Sequence, residues 1–382
     1  MGMKLAAGAK GGTPPFKEGE NIDLRIAHWS LWGPRRSGMY ETVRELIAAE
    51  NQIEGVLAGM LVVPPEGSMQ REKNAHFQGG LVDGIHPELR TQDWGWAYKF
   101  ADVHVIHYSF DLKLGRLKPK VFFAHGTPEA VIDSGLREPQ KRALLAGAQW
   151  IDKFEATIVT SQRAKQFWSV FDSTDGKKIN VVSKGIDLEW WQKSSTKADL
   201  PGEPSVLYGE VWRGIKHPTS LLFAVNEIYK DNPEIRLNAW SLDHGRNFWE
   251  NLIAQAGFKK FLGQDNIPGV QDYPEHFYSR GDVLVSPVQA GDLSRVSQEA
   301  MACGCPVVSW DTDPWSENYP YKAAKGFDIL DMASKIEATY EEILDDPESV
   351  AAKCRAIAEK YYNIHDEAKS VVEILRKVVS EQ

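Results

Sequence analysis

Three stretches of this sequence concentrate side chains that could do chemistry. In DVLVSPVQAGDLSRVSQEAMACGCPVVSWDTD (282–313) an apolar run leads through a Gly-containing loop into a helical pattern. The helix start at Leu293, Ser294, Arg295 and Val296 offers backbone N–H groups and a positive dipole end to an anion such as a diphosphate. One or two turns later, Glu299 presents a carboxylate suited to a pair of hydroxyl donors. In VLYGEVWRGIKHP (206–218), Gly209 permits a tight turn at a strand end, and Arg213 and Lys216 place two cations in a strand-to-helix loop. In KVFFAHG (120–126), His125 closes a strand, where ligands of parallel sheets collect, and its ring can donate or accept. Each has a plainer reading: a carboxylate solvating its helix, surface cations in a loop, a structural histidine. His104 and His107, in VHVIHYS, sit on opposite faces or ends of one strand; His107 is a lesser site candidate than His125, and His104 reads as structural.

Other reactive types offer less. Cys303 and Cys305 lie one residue apart in MACGCPVV, unlike a zinc knuckle or a redox pair, and with Cys354 they read as buried, reduced packing residues. Asp311 and Asp313 have Asp-x-Asp spacing but too few companion ligands to hold a metal, so none is expected.

The elements that must position these groups alternate. LRIAHWS, IEGVLAGMLVV, VHVIHYS, KVFFAHG, ATIVTS and INVVSKGID read as strands, and MYETVRELIAAE as a helix with Val43, Leu46 and Ile47 on one face. A further helix is expected near 140–154. A polar, proline-closed segment (WWQKSSTKADLPGEP) interrupts the series, and the alternation then restarts at SVLYG. From Asp331 onwards the chain reads as helical to its end.

The fold class expected is therefore α/β, two facing Rossmann-like doubly wound domains with a cleft between them. The boundaries expected are a flexible leader over 1–22, a first domain over 23–190, a linker over 191–204, a second domain over 205–362 and a C-terminal helix over 363–382.

Bulk properties fit an ordinary globular protein. The chain has 382 residues, more than one domain usually holds, with 42% hydrophobic and 25% charged residues. A formal net charge of −9 argues against indiscriminate binding to nucleic acid, which rests on neutralising phosphates. No apolar run approaches the ~20 residues of a membrane span, the leader lacks a signal-peptide apolar core, and the three cysteines suit a reducing compartment, so a cytoplasmic location is expected.

The 282–313 run resembles glycosyltransferase family 4, a group of retaining enzymes of GT-B architecture. Gln298, Glu299 and the AMACGCPVV that follows them carry the likeness, supported by VLYGEVWRGIKHPTSLLFAV, FLGQDNIPGVQDYPEHFYSRGDVLVSP and VVSKGIDLEWW. The first half matches in outline only, through WGPRRSGMYETVREL and FFAHGTPEA.

The resemblance implies a nucleotide-sugar donor held mainly by the second half, with Glu299 on the ribose and Lys216 and Arg213 on the leaving diphosphate. It also implies amides of Leu293–Val296 at the phosphates, a base-contacting loop from Gly263, close backbone approach at Gly38, and His125 at the sugar or acceptor. Two positions depart from the pattern. Gly291 stands where a first Glu meets the sugar, leaving Asp292 as the nearest carboxylate, and Glu210 stands where an arginine is usual. The activity implied is retaining and metal-independent. The acceptor is left open among glycans, lipids, small molecules and a nucleic-acid base. A non-catalytic nucleotide-sugar binder and a nucleotide-sugar epimerase are the rival readings.

Overall fold

The computed structural model describes residues 21–30, 38–62, 101–107, 117–128, 150–194, 200–212, 214–239, 246–265, 275–288, 294–311 and 319–382, with positions 138, 141 and 148. The chain divides into two compact units. Of the described residues, one holds those up to Gly185 together with Ile364–Gln382, and the other holds Ile186–Asn363. The division falls at Gly185 and Ile186, ahead of the polar segment, whose Trp191 and Leu200 are buried in a cluster of the second unit.

The first unit is built on β1 (Leu24–Ser30), α1 (Gly38–Glu50), β2 (Val56–Val62), β3 (Val103–His107), β4 (Lys120–Ala124), β5 (Ala156–Val159), α2 (Gln162–Ser169) and β6 (Ile179–Val181). Its strands form one parallel sheet in the order β2-β1-β3-β4-β5-β6. Every residue of β3, β4 and β5 is buried, which is how strands covered on both faces read in sequence. Val43, Leu46 and Ile47 of α1 enter the core as their spacing predicts. The expected INVVSKGID strand shortens to Ile179–Val181, and most of the helix expected near 140–154 lies outside the described residues.

The second unit comprises β7 (Ser205–Tyr208), α3 (Pro218–Tyr229), β8 (Arg236–Ala239), α4 (Arg246–Gln255), β9 (Leu262–Asp265), α5 (Glu275–Tyr278), β10 (Val283–Ser286), α6 (Arg295–Ala302), β11 (Val307–Asp311), β12 (Lys322–Lys325), α7 (Ile329–Asp345) and α8 (Pro347–Tyr361). Its sheet is also parallel, in the order β12-β11-β10-β7-β8-β9. The sequence gives no warning of β12. Its KAAK pattern is polar because it is an edge strand, and Ala324 alone of its residues is buried. The three cysteines are free and buried, and burial pushes the Cys305 thiol up to about 12.

The last helix, α9 (Ile364–Ser380), belongs to the first unit. Its Ile364, Ala368, Val371, Val372, Leu375 and Val378 recur at helical spacing and pack in one core with Val43, Leu46 and Ile47 of α1. Glu367 accepts the Gly185 N–H at 2.6 Å, and Arg376 pairs with Asp23 at 3.2 Å. Among the described residues no helix is long and apolar enough to cross a membrane.

Both sheets reverse their direction of winding beside their first strand. β1 has β2 on one side and β3 on the other; β7 has β8 on one side and β10 on the other. Outside the carboxyl ends of strands at such a reversal, the connections part and leave a crevice. The two candidate centres described next lie at these places, one in each unit.

Candidate functional site

In the second unit, β7 ends at Tyr208 and Gly209 follows. A Cβ on Gly209 would come within 2.6 Å of Cγ1 of Val296, so the strand end and the first turn of α6 approach closely because residue 209 has no side chain. Ser294 caps α6: its backbone is extended, and its Oγ accepts the Ser297 N–H at 3.3 Å. Ser286 at the end of β10 lies 3.2 Å from the Ser294 hydroxyl, joining strand and cap.

Glu299 is buried in the second turn of α6. Its Oε1 accepts from Nε of Arg295 at 2.6 Å and its Oε2 from the Tyr278 hydroxyl at 2.7 Å. A carboxylate has about four acceptor positions, more than these two donors fill. Burial, then the charge of Glu299 and the hydrogen bond to it, push the Tyr278 phenol well above its ordinary range, so it remains a neutral donor. Arg295 places a cation at the positive end of the helix dipole. That is unfavourable for the isolated helix and favourable for an anion bound there.

The loop after β7 carries the other charges. Glu210 is buried, and its Oε2 holds Nζ of Lys216 at 2.9 Å. Lys216 ends a 3-10 turn over Gly214–Lys216, whose last carbonyl accepts from the Tyr208 hydroxyl at 3.4 Å. The carboxylate at position 210 therefore holds the lysine ammonium in the loop. An ammonium has three donors, so Lys216 can keep Glu210 and still meet an anion. The charge of Glu210 also acts on Tyr278, the last of the causes that raise its phenol.

Other sequence candidates fall differently. Gly263 lies within β9, where an added Cβ would sit 2.2 Å from Oδ1 of Asn238; its smallness makes room for that amide, which accepts from the Gln264 N–H at 2.8 Å. Gly38 opens α1. Arg213, Asp292 and Leu293 lie outside the described residues.

The first unit holds a second polar centre at its own winding reversal. His125, just past β4, places Nε2 at 2.6 Å from Nδ1 of His107, the last residue of β3. Nε2 of His107 lies 2.8 Å from Nδ1 of His28 on β1, and Nε2 of His28 lies 2.8 Å from Oε2 of Glu50, the last residue of α1. All four side chains are buried. Burial, then the charges of His125 and His28, hold His107 well below its ordinary pKa; burial, then Lys184 and His28, do so for His125. His104 is separate from this chain of rings: its Nδ1 accepts from the Trp29 indole at 3.2 Å. Sequence reasoning found His125 and His107 and missed His28 and Glu50. LRIAHWS and RELIAAE carry no local mark of a partnership 22 residues apart.

Two parallel-sheet Rossmann-like units of this kind define the GT-B fold of glycosyltransferases. No protein-family model matches the chain. It is 25% identical over 280 residues to a curated D-inositol 3-phosphate glycosyltransferase of Paenarthrobacter aurescens, covering 69% of this chain and 68% of that protein. Among solved structures it resembles sucrose-phosphate synthase from Thermosynechococcus elongatus, with a TM-score of 0.68 at 18% identity over 94% of this chain and 100% of that one. It also resembles Anabaena HepE, solved with UDP and glucose, with a TM-score of 0.62 at 14% identity over 92% of this chain and 99% of that one.

Proposed function

We propose that this protein is a glycosyltransferase that takes a sugar from a nucleotide-sugar bound by its second unit and transfers it with retention of configuration. The observation that carries this reading is the grouping of Gly209, Lys216, Arg295 and Glu299 around the carboxyl end of β7 and the start of α6. The first turn of α6 and Lys216 supply fixed positive charge for a departing diphosphate, with Arg213 as the second cation suggested by the sequence. Charge fixed in advance in this way needs no reorganisation during the reaction, and a metal ion is not required for it. Glu299, oriented by Arg295 and Tyr278, is suited to accept from the two hydroxyls of a ribose. The similarity to a curated glycosyltransferase and the UDP held by HepE support a nucleotide-sugar as donor.

A panel of nucleotide-sugars scored by thermal shift tests the donor reading, since a ligand that binds only the folded chain raises its melting temperature. One or more nucleotide-sugars should raise it, and a panel with no shift removes the reading. With the donor known, Lys216→Ala should lower turnover by about 10²–10³-fold, the usual effect of removing one such stabilising group, while circular dichroism is unchanged. Unchanged turnover would take Lys216 out of the site. The Glu210–Lys216 pair gives substance to a second reading, a nucleotide-sugar binder without catalysis, because part of the lysine charge is already matched. That reading predicts thermal shifts with no release of nucleoside diphosphate under any acceptor.

A further inference from the structure

Lys216 and Arg295, the described cations of the proposed donor site, are each paired with a buried carboxylate. Nζ of Lys216 lies 2.9 Å from Oε2 of Glu210, and Nε of Arg295 lies 2.6 Å from Oε1 of Glu299. Among the described residues, these four side chains bring no net charge to an incoming anion. Glu299 has a second task in accepting ribose hydroxyls, and Glu210 has none of that kind. It stands where the family resemblance expects an arginine, so the position supplies an anion in place of a cation. It is 6% exposed, and its Oε1 is buried with no hydrogen-bond partner among the described residues. A buried carboxylate satisfied on one oxygen costs stability, and an apolar side chain of similar volume is often neutral or better. The loop does not need it as an anchor. The Tyr208 hydroxyl donates to the Lys216 carbonyl at 3.4 Å, and the Trp249 indole donates to the Trp212 carbonyl at 2.8 Å. The Tyr208 and Trp212 rings also meet edge to face, with centroids 5.1 Å apart. The Lys216 side chain keeps 20% of its surface exposed, so an anion can reach it from solvent while Glu210 stays in place.

We propose that Glu210 is a specificity-determining residue whose negative charge, set against Lys216, weakens the hold on a nucleoside diphosphate more than the hold on the matching nucleotide-sugar, and so favours product release. The reason is electrostatic. A terminal phosphate carries a charge of about −1.5 to −2 at pH 7. Joined to a sugar, the same phosphate has no second ionisation and carries about one negative charge. A fixed anion nearby penalises the more highly charged of two otherwise similar ligands, and more so where the effective dielectric is below that of water. A lysine without its carboxylate would favour the product instead. With Glu210 present, the ammonium keeps N–H donors to offer while much of its longer-range field is cancelled. The inference rests on the glycosyltransferase reading, in which Lys216 meets the diphosphate of the donor.

The test is titration calorimetry on the full chain at pH 8 and low salt, with UDP, ADP and GDP and the glucose ester of each. In Glu210→Gln the amide oxygen still accepts from Lys216, and only the charge is lost. For the nucleotide that binds the wild type, Glu210→Gln should bind the diphosphate about tenfold tighter and its glucose ester about threefold tighter. A structural role predicts no gain or a loss. An unchanged or weaker diphosphate therefore overturns the proposal, and so does a gain equal for both ligands. If circular dichroism shows that Glu210→Gln does not fold, Glu210→Met, uncharged and of similar length, takes its place with the same graded gain expected. Failure of both variants to fold makes Glu210 a structural residue and equally overturns the proposal. If neither the wild type nor a folded variant binds any of the six ligands, the nucleotide-sugar reading itself fails. If the wild type binds and the variants show no graded gain, that reading stands and the role of Glu210 fails alone.

Discussion

Gly209→Ala is the sharpest perturbation of the second unit, because it adds one methyl group at a place where two elements already touch. The new Cβ would sit 2.6 Å from Cγ1 of Val296, well inside the 3.4–4 Å of ordinary contact, while its next neighbours, Phe277 Cε1 at 3.5 Å and Leu284 Cδ1 at 3.6 Å, are undisturbed. Val296 cannot simply turn away, since a β-branched residue in a helix has one strongly preferred χ1. Relief must come from the backbone of the first turn of α6 or from the end of β7. Overpacking of this kind costs about 1–3 kcal/mol. Displacing the amides that would meet a diphosphate should in addition weaken nucleotide affinity by about tenfold, a loss of about 1.4 kcal/mol. Urea denaturation would read the first effect and titration calorimetry with the nucleotide the second. Val296→Ala removes the clashing methyl, so the double variant should recover most of both losses, giving a coupling energy of about 1–2 kcal/mol in a double-mutant cycle. If Gly209→Ala is as stable as the wild type, or if its loss persists unchanged in the Val296→Ala background, the close approach of β7 and α6 is not what position 209 provides.

Acid should destabilise the first unit through His104. Burial lowers its pKa from 6.5 to about 4, and its Nδ1 must stay bare to accept from Trp29. Because the folded value lies below the unfolded one, the unfolded chain takes up the proton first. The stabilisation is full above about pH 6.5 and is lost as pH falls towards 4, by about 2 kcal/mol between pH 7 and pH 5. Urea midpoints at the two pH values should therefore converge in His104→Gln relative to wild type, and equal pH slopes would contradict the argument. Tyr278→Phe deletes the hydroxyl that donates to Glu299 at 2.7 Å. Losing a hydrogen bond to a charged acceptor should cost about 1.5–3 kcal/mol, read by guanidinium denaturation, and an unchanged midpoint would show that Glu299 finds another donor.

The sequence determined the elements and their class. Runs such as VHVIH and KVFFA are apolar on both faces because both faces of a parallel sheet are covered, and the helical spacing from Ile364 to Val378 specifies a buried stripe. Such patterns are local, set by the periods of strand and helix, and can be read without knowing the neighbours. The cap at Ser294 and the small residue at Gly209 are local in the same sense. Tertiary structure decided what each charged group faces. It paired Lys216 with Glu210, the residue that departs from the expected arginine, and gave Glu299 the hydroxyl of Tyr278, 21 residues earlier in the chain. It brought His28 within reach of His107, 79 residues away, because β1 and β3 are neighbours in the sheet although not in sequence. Strand order also turned two separate strand ends into winding reversals, and it made KAAK an edge strand although its composition carries no strand signal. Hydrogen bonds act only within about 3 Å, so their partners follow from register and strand order, which composition and periodicity do not encode.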